Sequence, residues 1–312
     1  MISDFASGAR QTLEFLHARL GFNLWMVTRT EGDDWIVLDA NDHGYRVEAG
    51  DIFRWADSYC SRMTAGLGPR IAPDAKSVPA YFSAEINRQV DIGAYIGVPL
   101  TRGDGSFFGT LCGIDPTSKP DHLIEEQPLV ELLAGLLSAL LAAELRAEDA
   151  RRHAEQLGTD ATRDALTSLY NRRGWDTLVE NEEGRSARYG HPAAVISIDL
   201  DGLKERNDTL GHQAGDALLI TAAEAIKRAT RTTDIVARLG GDEFAVLGVE
   251  CNLTDASMLL DRLRREFEAA GIAASIGFAM RRPKEGIAKA YASADAAMYE
   301  EKRRRKGGDA RS

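Results

Sequence analysis

Cysteine, positive charge and long apolar runs are all scarce in this sequence, and each scarcity removes a class of protein. Three cysteines occur in 312 residues, Cys60, Cys112 and Cys251. They are odd in number and far apart, with neither Cys-x-x-Cys nor Cys/His spacing. That excludes a disulfide framework and a zinc site of local spacing, and predicts reduced thiols. Lys and Arg number 38 against 48 Asp and Glu, a net charge of -10. This is the wrong sign for a protein that grips DNA through a basic face, although a local basic site for phosphates is compatible with it. The first ten residues hold no basic stretch followed by an apolar one, so no secretory signal is read there. The most apolar stretch, 132–143, is bounded by Glu131 and Glu144 and is too short to cross a bilayer. These absences predict a soluble, cytoplasmic chain with no membrane span and no DNA partner.

What is present is ordinary for a globular chain, with 44% hydrophobic and 28% charged residues,. At roughly 100–200 residues per domain, the length predicts two domains. In the N-terminal part, 24–27 and 35–38 are apolar runs around the turn Glu31-Gly32-Asp33-Asp34, which reads as a hairpin,. Residues 52–63 place Ile52, Trp55, Ala56, Tyr59 and Met63 at helical spacing, and a Gly/Pro-rich loop over 66–79 follows,. Strands over 95–100 and 107–114 flank a second hairpin turn, Arg102-Gly103-Asp104-Gly105,. From Glu125, Leu129, Leu132, Leu133, Leu136, Leu137, Leu140, Leu141 and Leu145 form a wide stripe of helical period,. Roughly 30 residues at 1.5 Å each make a helix of about 45 Å. This helix either packs wholly on its own domain or serves as a dimerising stalk between two domains, and its length favours the stalk.

The C-terminal part opens near Asp164. It reads as strand 194–198 ending in Asp199, helix 216–229, strands 235–239 and 244–247, helix 255–270, strand 272–278 and helix 290–303. The expected fold class is therefore α/β (α+β). An N-terminal antiparallel sheet with helices and a long connecting helix precede a C-terminal sheet surrounded by helices.

Three features of the C-terminal part carry chemistry. In Gly240-Gly241-Asp242-Glu243 two glycines allow a tight turn and close approach of a ligand, and two carboxylates follow at once; Asp and Gly are also common turn residues,. Asp199-Leu200-Asp201 ends an apolar strand at a sheet edge, where open sheets hold ligands. Carboxylates from two neighbouring strands would suit Mg²⁺ with phosphate oxygens completing its shell, although an exposed strand-end Asp is a plainer reading. Lys204, Asn207 and Asp216 offer donors and acceptors matching a guanine edge. Asp216 could equally be a helix N-cap, and Asn207 a loop residue.

Taken with Asp164 to Arg173 upstream and Ala294 to Tyr299 downstream, this region resembles the GGDEF family of diguanylate cyclases. Arg238-Leu239-Gly240-Gly241-Asp242-Glu243-Phe244 matches the family signature at every position, and the resemblance covers about residues 160–306. It implies condensation of two GTP into cyclic di-GMP with loss of two pyrophosphates, each 3′-hydroxyl attacking the other nucleotide's α-phosphate. It implies Mg²⁺ (or Mn²⁺) held by Asp199, Asp242 and the Leu200 carbonyl, with Glu243 a further ligand or an activator of the attacking hydroxyl. Asp242, Glu243 and Lys204 would be catalytic. Asn207 and Asp216 would read guanine, Gly240 and Gly241 would admit the nucleotide, and Lys204, Lys302 and Lys306 would meet phosphates. Arg231-Thr232-Thr233-Asp234, with five residues between it and Gly240, matches the family's product-inhibition site. Cyclic di-GMP is thus expected as product and inhibitor. Gly202 and Leu203 stand where the family has bulkier residues, which predicts looser packing near the nucleotide. The family's Gly-Arg/Lys-Asn after the last helix is replaced by Arg303 to Gly308.

The N-terminal part resembles a GAF domain through Tyr95 to Leu100, the turn at Asp104-Gly105, and Phe108 to Asp115. Cys60, Cys112 and His122 could be read as a haem or bilin site, but their spacing favours core or surface roles, and Trp25, Trp35 and Trp55 read as core. The GAF ligand is unknown. The expected organisation is a GAF-like sensory and dimerising domain over 1–145, a helical stalk over 146–162 and a GGDEF domain over 163–312, forming a homodimer through GAF and stalk. The alternatives are a catalytically silent receptor for GTP or cyclic di-GMP, a sensory scaffold that binds no GTP, and a cyclase of other base preference. Intact Asp199, Asp242 and Glu243 argue against the silent receptor.

Overall fold

The computed structural model describes the backbone of residues 2, 4–156 and 160–309, and their side chains except at 153–160 and 306–309. The chain divides into two compact units, Met1–Ala154 and Glu155–Ser312. The division falls inside the long helix, so most of the linker expected over 146–162 is the end of that helix.

The first unit opens with α1 (Phe5–Leu20), capped by Asp4, whose carboxylate accepts the Ser7 N–H at 2.7 Å,. The hairpin β1 (Leu24–Glu31) and β2 (Asp34–Asp42) follows as expected. The helix expected over 52–63 is only half correct. Residues Ile52–Arg54 form β3 and pair with β2, a 3-10 turn covers Trp55–Asp57, and only Tyr59–Thr64 is helical, as α2. Ser58 sets that late start by capping α2. The loop expected over 66–79 contains a short strand, β4 (Ile71–Ala72), and leads to α3 (Pro79–Phe82). Strands β5 (Ala94–Thr101) and β6 (Phe107–Asp115) complete a sheet of order β3-β2-β1-β6-β5-β4 whose neighbours are all antiparallel.

Alternation along β1 explains its continuous burial. Leu24 and Met26 join Tyr59, Cys60, Tyr81 and Tyr95 in the core on one side of the sheet. On the other side Phe108 of β6 meets Phe5 of α1 edge to face. The long helix α4 (Gln127–Gln156) lies against α1, close enough that a β-carbon on Gly8 would stand 3.0 Å from Leu140. Its Val130, Ala134, Leu137 and Leu141 are buried, whereas Leu132 and Leu136 are each 59% exposed. The helical segment Asp121–Arg152 is long and apolar enough to cross a membrane by length and composition, so the apolar stretch extends further than 132–143 alone indicated.

The second unit contains α5 (Arg172–Tyr189), β7 (Ala193–Leu200), α6 (Leu203–Leu210), α7 (His212–Ala229), β8 (Ile235–Gly240) and β9 (Glu243–Val249). It ends with α8 (Leu253–Ala269), β10 (Ala274–Met280) and α9 (Gly286–Asp309). The sheet order is β10-β7-β9-β8, again antiparallel throughout. All eight residues of β7 are buried because the sheet is covered on both faces. Ile196, Ile198 and Leu200 pack with α7 and α8, and Ala193 and Val195 pack with α5 and α9. The two central strands thus hold the site rigidly at one end of the sheet.

Candidate functional site

The site is built where β7 ends and the β8–β9 hairpin turns. Asp199 pairs in register with Glu243 across β7 and β9, and Leu200 N–H donates to the Asp242 carbonyl at 3.0 Å. One strand end and one turn are thereby joined through backbone. The turn needs its glycines, since Gly240 and Gly241 adopt φ of 155° and 49°,. Arg238 fastens it from within, donating Nη2 and Nε to the Gly241 carbonyl at 2.9 and 3.0 Å.

The carboxylates crowd one another. Asp199 is 7% exposed. Burial raises its pKa, the charges of Asp242 and Asp201 add to the rise, and Lys302 opposes it. Lys302 Nζ lies 2.5 Å from Asp199 Oδ1, and Arg305 Nη1 lies 3.4 Å from Asp201 Oδ2. Glu243 is exposed, with Arg172 Nη2 at 3.8 Å. Among the described residues no three His, Cys, Asp or Glu side chains gather into a metal-holding group. The candidate donors are two hard carboxylates, Asp199 and Asp242, with neighbouring backbone oxygen. Such a set fits a hard divalent cation that takes its other oxygens from water or a phosphorylated ligand.

Asn207 and Asp216 come together through α6 and α7. The Asn207 side chain lies directly over Gly215, so closely that a β-carbon there would stand 1.9 Å from its Oδ1. Asp216 follows immediately, exposed and one turn inside α7. It is not the helix N-cap, because α7 starts at His212 after Gly211, four residues earlier than 216. Lys204 is exposed in the first turn of α6. Gly202 enters α6 at φ 77°, and Leu203 packs against the core. The small residue thus serves a backbone turn, and Leu203 is partly buried. The Lys306 side chain lies outside the described residues.

Arg231 and Asp234 occupy the connection between α7 and β8. Asp234 accepts the Arg231 N–H at 2.8 Å and the Val249 N–H at 3.3 Å. Burial raises its pKa while these N–H groups oppose the rise. The Arg231 guanidinium is half exposed and reaches Asp255 at 3.2 Å. Asp234 therefore fastens the turn, and Arg231 is the member of the pair that faces solvent.

A family model for the diguanylate cyclase GGDEF domain matches residues 161–308. Diguanylate cyclase DgcS of Shewanella oneidensis is 30% identical over 227 residues, covering 71% of this chain and 69% of that protein. The chain belongs to the GGDEF diguanylate cyclase family. Diguanylate cyclase DgcP of Escherichia coli is 31% identical over 226 residues, which are 69% of this chain and 66% of DgcP. The GGDEF domain of DgcB from Caulobacter crescentus, solved in complex with c-di-GMP, is 32% identical. That alignment covers 47% of this chain and 92% of DgcB's domain, with a TM-score of 0.45. That family model's match begins at residue 161, after the N-terminal unit.

Three residues of this GGDEF domain, Asp164, Arg172 and Arg238, stand in the sequence motifs with no role assigned there. Asp164 accepts the N–H and hydroxyl of Thr167 at 2.9 and 2.7 Å, and Arg238 donates to it at 3.3 Å. Arg238 therefore clamps the start of the domain to the GGDEF turn. Arg172, at the start of α5, donates to the Leu239 carbonyl at 3.3 Å as well as approaching Glu243. Spacing does not show these bonds, because the partners lie 74 and 67 positions apart in the chain. In the N-terminal unit Cys60 and Cys112 both line a cavity of about 320 Å³, whereas His122 is exposed and not part of its wall.

Proposed function

We propose that this protein is an active diguanylate cyclase that condenses two GTP into cyclic di-GMP and two pyrophosphates. The observation carrying this reading is the joining of buried Asp199 to the Asp242–Glu243 turn, where the charge of Asp242 is felt at Asp199. Asp199 and Asp242 would hold Mg²⁺ or Mn²⁺ with the Leu200 carbonyl. The cation would supply charge neutralisation for the reacting phosphate.

The chain's own residues do the rest. Asp216 accepts from the guanine N1–H and N2–H₂, and Asn207 donates to its acceptor atoms. Lys204 and Lys302 stabilise phosphate charge, and Lys306 is proposed to join them. Gly240 and Gly241 present backbone without side chains in the nucleotide's way. Glu243 orients or deprotonates the attacking hydroxyl. One domain holds one GTP, so two domains must face each other. Exposed Leu132 and Leu136 on α4 support a homodimer through that helix. The N-terminal unit is read as a GAF-type regulatory domain of unknown ligand, supported by its antiparallel sheet with a cavity on one face. Arg231 and Asp234 would bind cyclic di-GMP as an inhibitor. The reading places the protein in the cytoplasm.

The test is incubation of purified protein with GTP and Mg²⁺, chromatography for cyclic di-GMP, and Asp242→Ala in parallel. Product from the wild type alone is expected. If no product forms even after bound nucleotide has been removed, while GTP or cyclic di-GMP still binds, the protein is a receptor and the cyclase reading fails.

A further inference from the structure

The two thiols of the N-terminal unit stand together in the cavity wall. Cys60 comes from α2 and Cys112 from β6; both are 1% exposed and neither is in a disulfide. The Thr110 hydroxyl lies 3.5 Å from the Cys60 sulfur and 3.7 Å from that of Cys112. The Tyr95 hydroxyl donates to Cys60 at 3.3 Å.

The groups behind Thr110 fix the direction of these bonds. Trp35 Nε1–H can only donate, and it gives its proton to Thr28 Oγ1 at 2.9 Å,. The Thr110 backbone N–H donates to the same oxygen at 3.1 Å. Both lone pairs of Thr28 Oγ1 are then filled. In the 2.8 Å contact between the two threonine hydroxyls Thr28 must be the donor, sharing its proton with the Thr110 carbonyl at 3.1 Å. The Thr110 proton is left to point at sulfur. Cys60 thus accepts from Tyr95 and, at the shorter of its two sulfur contacts, from Thr110. Burial raises the Cys60 pKa, but these two donors and the neighbouring Cys112 thiol hold it below its ordinary value. The neighbouring Cys60 and burial push the Cys112 thiol well up. One sulfur is arranged as a nucleophile and its neighbour as the proton-bearing partner.

We infer that Cys60 and Cys112 form a dithiol that reduces an organic hydroperoxide entering the cavity, closing a disulfide between α2 and β6. The wall formed by Leu24, Met26, Trp35 and Ile92 suits the apolar body of such a molecule, and about 320 Å³ is room for a small one,. The Cys60 thiolate attacks the terminal peroxide oxygen; the S–O bond forms as the O–O bond breaks, and the alkoxide leaves as the alcohol with one proton. Cys60 is then a sulfenic acid. The Cys112 sulfur attacks it, the S–S bond forms, the S–O bond breaks, and hydroxide leaves as water with the Cys112 proton. Two thiols are oxidised by two electrons in total, and the hydroperoxide is reduced to alcohol and water.

The experiment treats the reduced full-length chain with tert-butyl hydroperoxide and maps its peptides without reductant. A linked peptide carrying Cys60 and Cys112 is expected, with Cys251 still a free thiol. Cys112→Ser should stop at a Cys60 sulfenic acid that a 1,3-dicarbonyl reagent traps. Thr110→Val keeps the shape of the side chain and should slow the reaction about tenfold, with circular dichroism confirming an unchanged fold. The inference is overturned if both thiols stay free while Cys251 oxidises. It is equally overturned if Cys112→Ser yields no trapped Cys60, or if Thr110→Val reacts at the wild-type rate.

Discussion

Alanine at position 215 should separate the stability of α7 from the use made of Asn207. Within a helix, glycine to alanine ordinarily stabilises by roughly 0.5–1 kcal/mol because glycine loses more backbone freedom on folding. Here the new β-carbon would stand 1.9 Å from Asn207 Oδ1 and 2.8 Å from its Cγ. Atoms do not sit so close, so the Asn207 side chain must swing away. It lies half-buried on a short helix, so the swing costs the fold little. The helix gain and this cost should leave the unfolding free energy within about 1 kcal/mol of wild type. Guanine binding, by contrast, loses one or two hydrogen bonds of about 1 kcal/mol each. That is roughly a tenfold weakening. The expected result is a KM for GTP raised about tenfold with kcat little changed, read by chromatography of cyclic di-GMP, and a thermal midpoint within a few degrees of wild type. Asn207→Ala should lose the same affinity, and the double variant should lose no more than either alone. Additive losses, or an unchanged KM in Gly215→Ala, would refute the reasoning.

Arg238→Ala and Asp164→Ala should each lower stability to urea by about 2 kcal/mol and show a coupling near 1 kcal/mol in a double-mutant cycle; purely additive losses would show that the clamp is not one unit. Burial raises the Asp164 pKa, but its bonds from Thr167 and the Arg238 charge hold it below the ordinary carboxylate value. The stability it lends is therefore complete above that ordinary value and is lost as pH falls through it toward the folded value. Asp164→Asn should flatten the acid limb of the unfolding curve, and an acid limb of unchanged slope would count against this assignment. Leu132→Glu with Leu136→Glu should weaken self-association at least tenfold in sedimentation and make specific activity rise with protein concentration. Because both side chains are already exposed in the protomer, a large fall in thermal midpoint would instead mean that they hold the fold. Arg231→Ala should raise the cyclic di-GMP concentration needed for half-inhibition at least tenfold without changing the uninhibited rate, whereas Asp234→Ala should destabilise the turn; persistent inhibition in Arg231→Ala would sink the product-site reading.

Strong periodic patterns made most of the fold legible. The apolar run of β7, the two hairpin turns of the N-terminal unit and the leucine stripe of α4 are local signals, and each fell where it was read. The failures have two causes: a pairing partner distant in sequence, and a glycine whose place between two helices periodicity does not show. Ile52–Arg54 has helical spacing but pairs with β2, so a strand replaces the first half of the expected helix. α7 begins four residues before Asp216 because Gly211 ends one helix and admits the next. The candidate site was legible as a set of residues but not as an arrangement. Asp199 and Asp242 carry their identity in the strand-end and turn motifs. Their neighbours Lys302, Arg305 and Arg172 arrive from other helices, and spacing alone does not say which acid each will meet.

That missing part bears on how the site can exist in a folded protein at all. Asp199, Asp201 and Asp242 repel one another, and burial makes the charge on Asp199 costlier still. Lys302 lies on Asp199, Arg305 on Asp201 and Arg172 beside Glu243. Two of these bases come from the last helix and one from the first turn of α5, while the acids sit at the end of β7, in the β8–β9 turn and at the start of β9. The carboxylates are therefore held together by backbone register and kept tolerable by cations that are separately mounted. On the proposed reading this is the arrangement a nucleotide site needs. Asp199 and Asp242 would hold a divalent ion that would neutralise them, and Lys302 would then be available to phosphate without the sheet having to move. Fixing the acids through β7 and β9 while leaving the bases on helix surfaces lets the charges be exchanged at constant backbone geometry, so the cost of assembling like charges is met in folding and need not be met again when substrate binds.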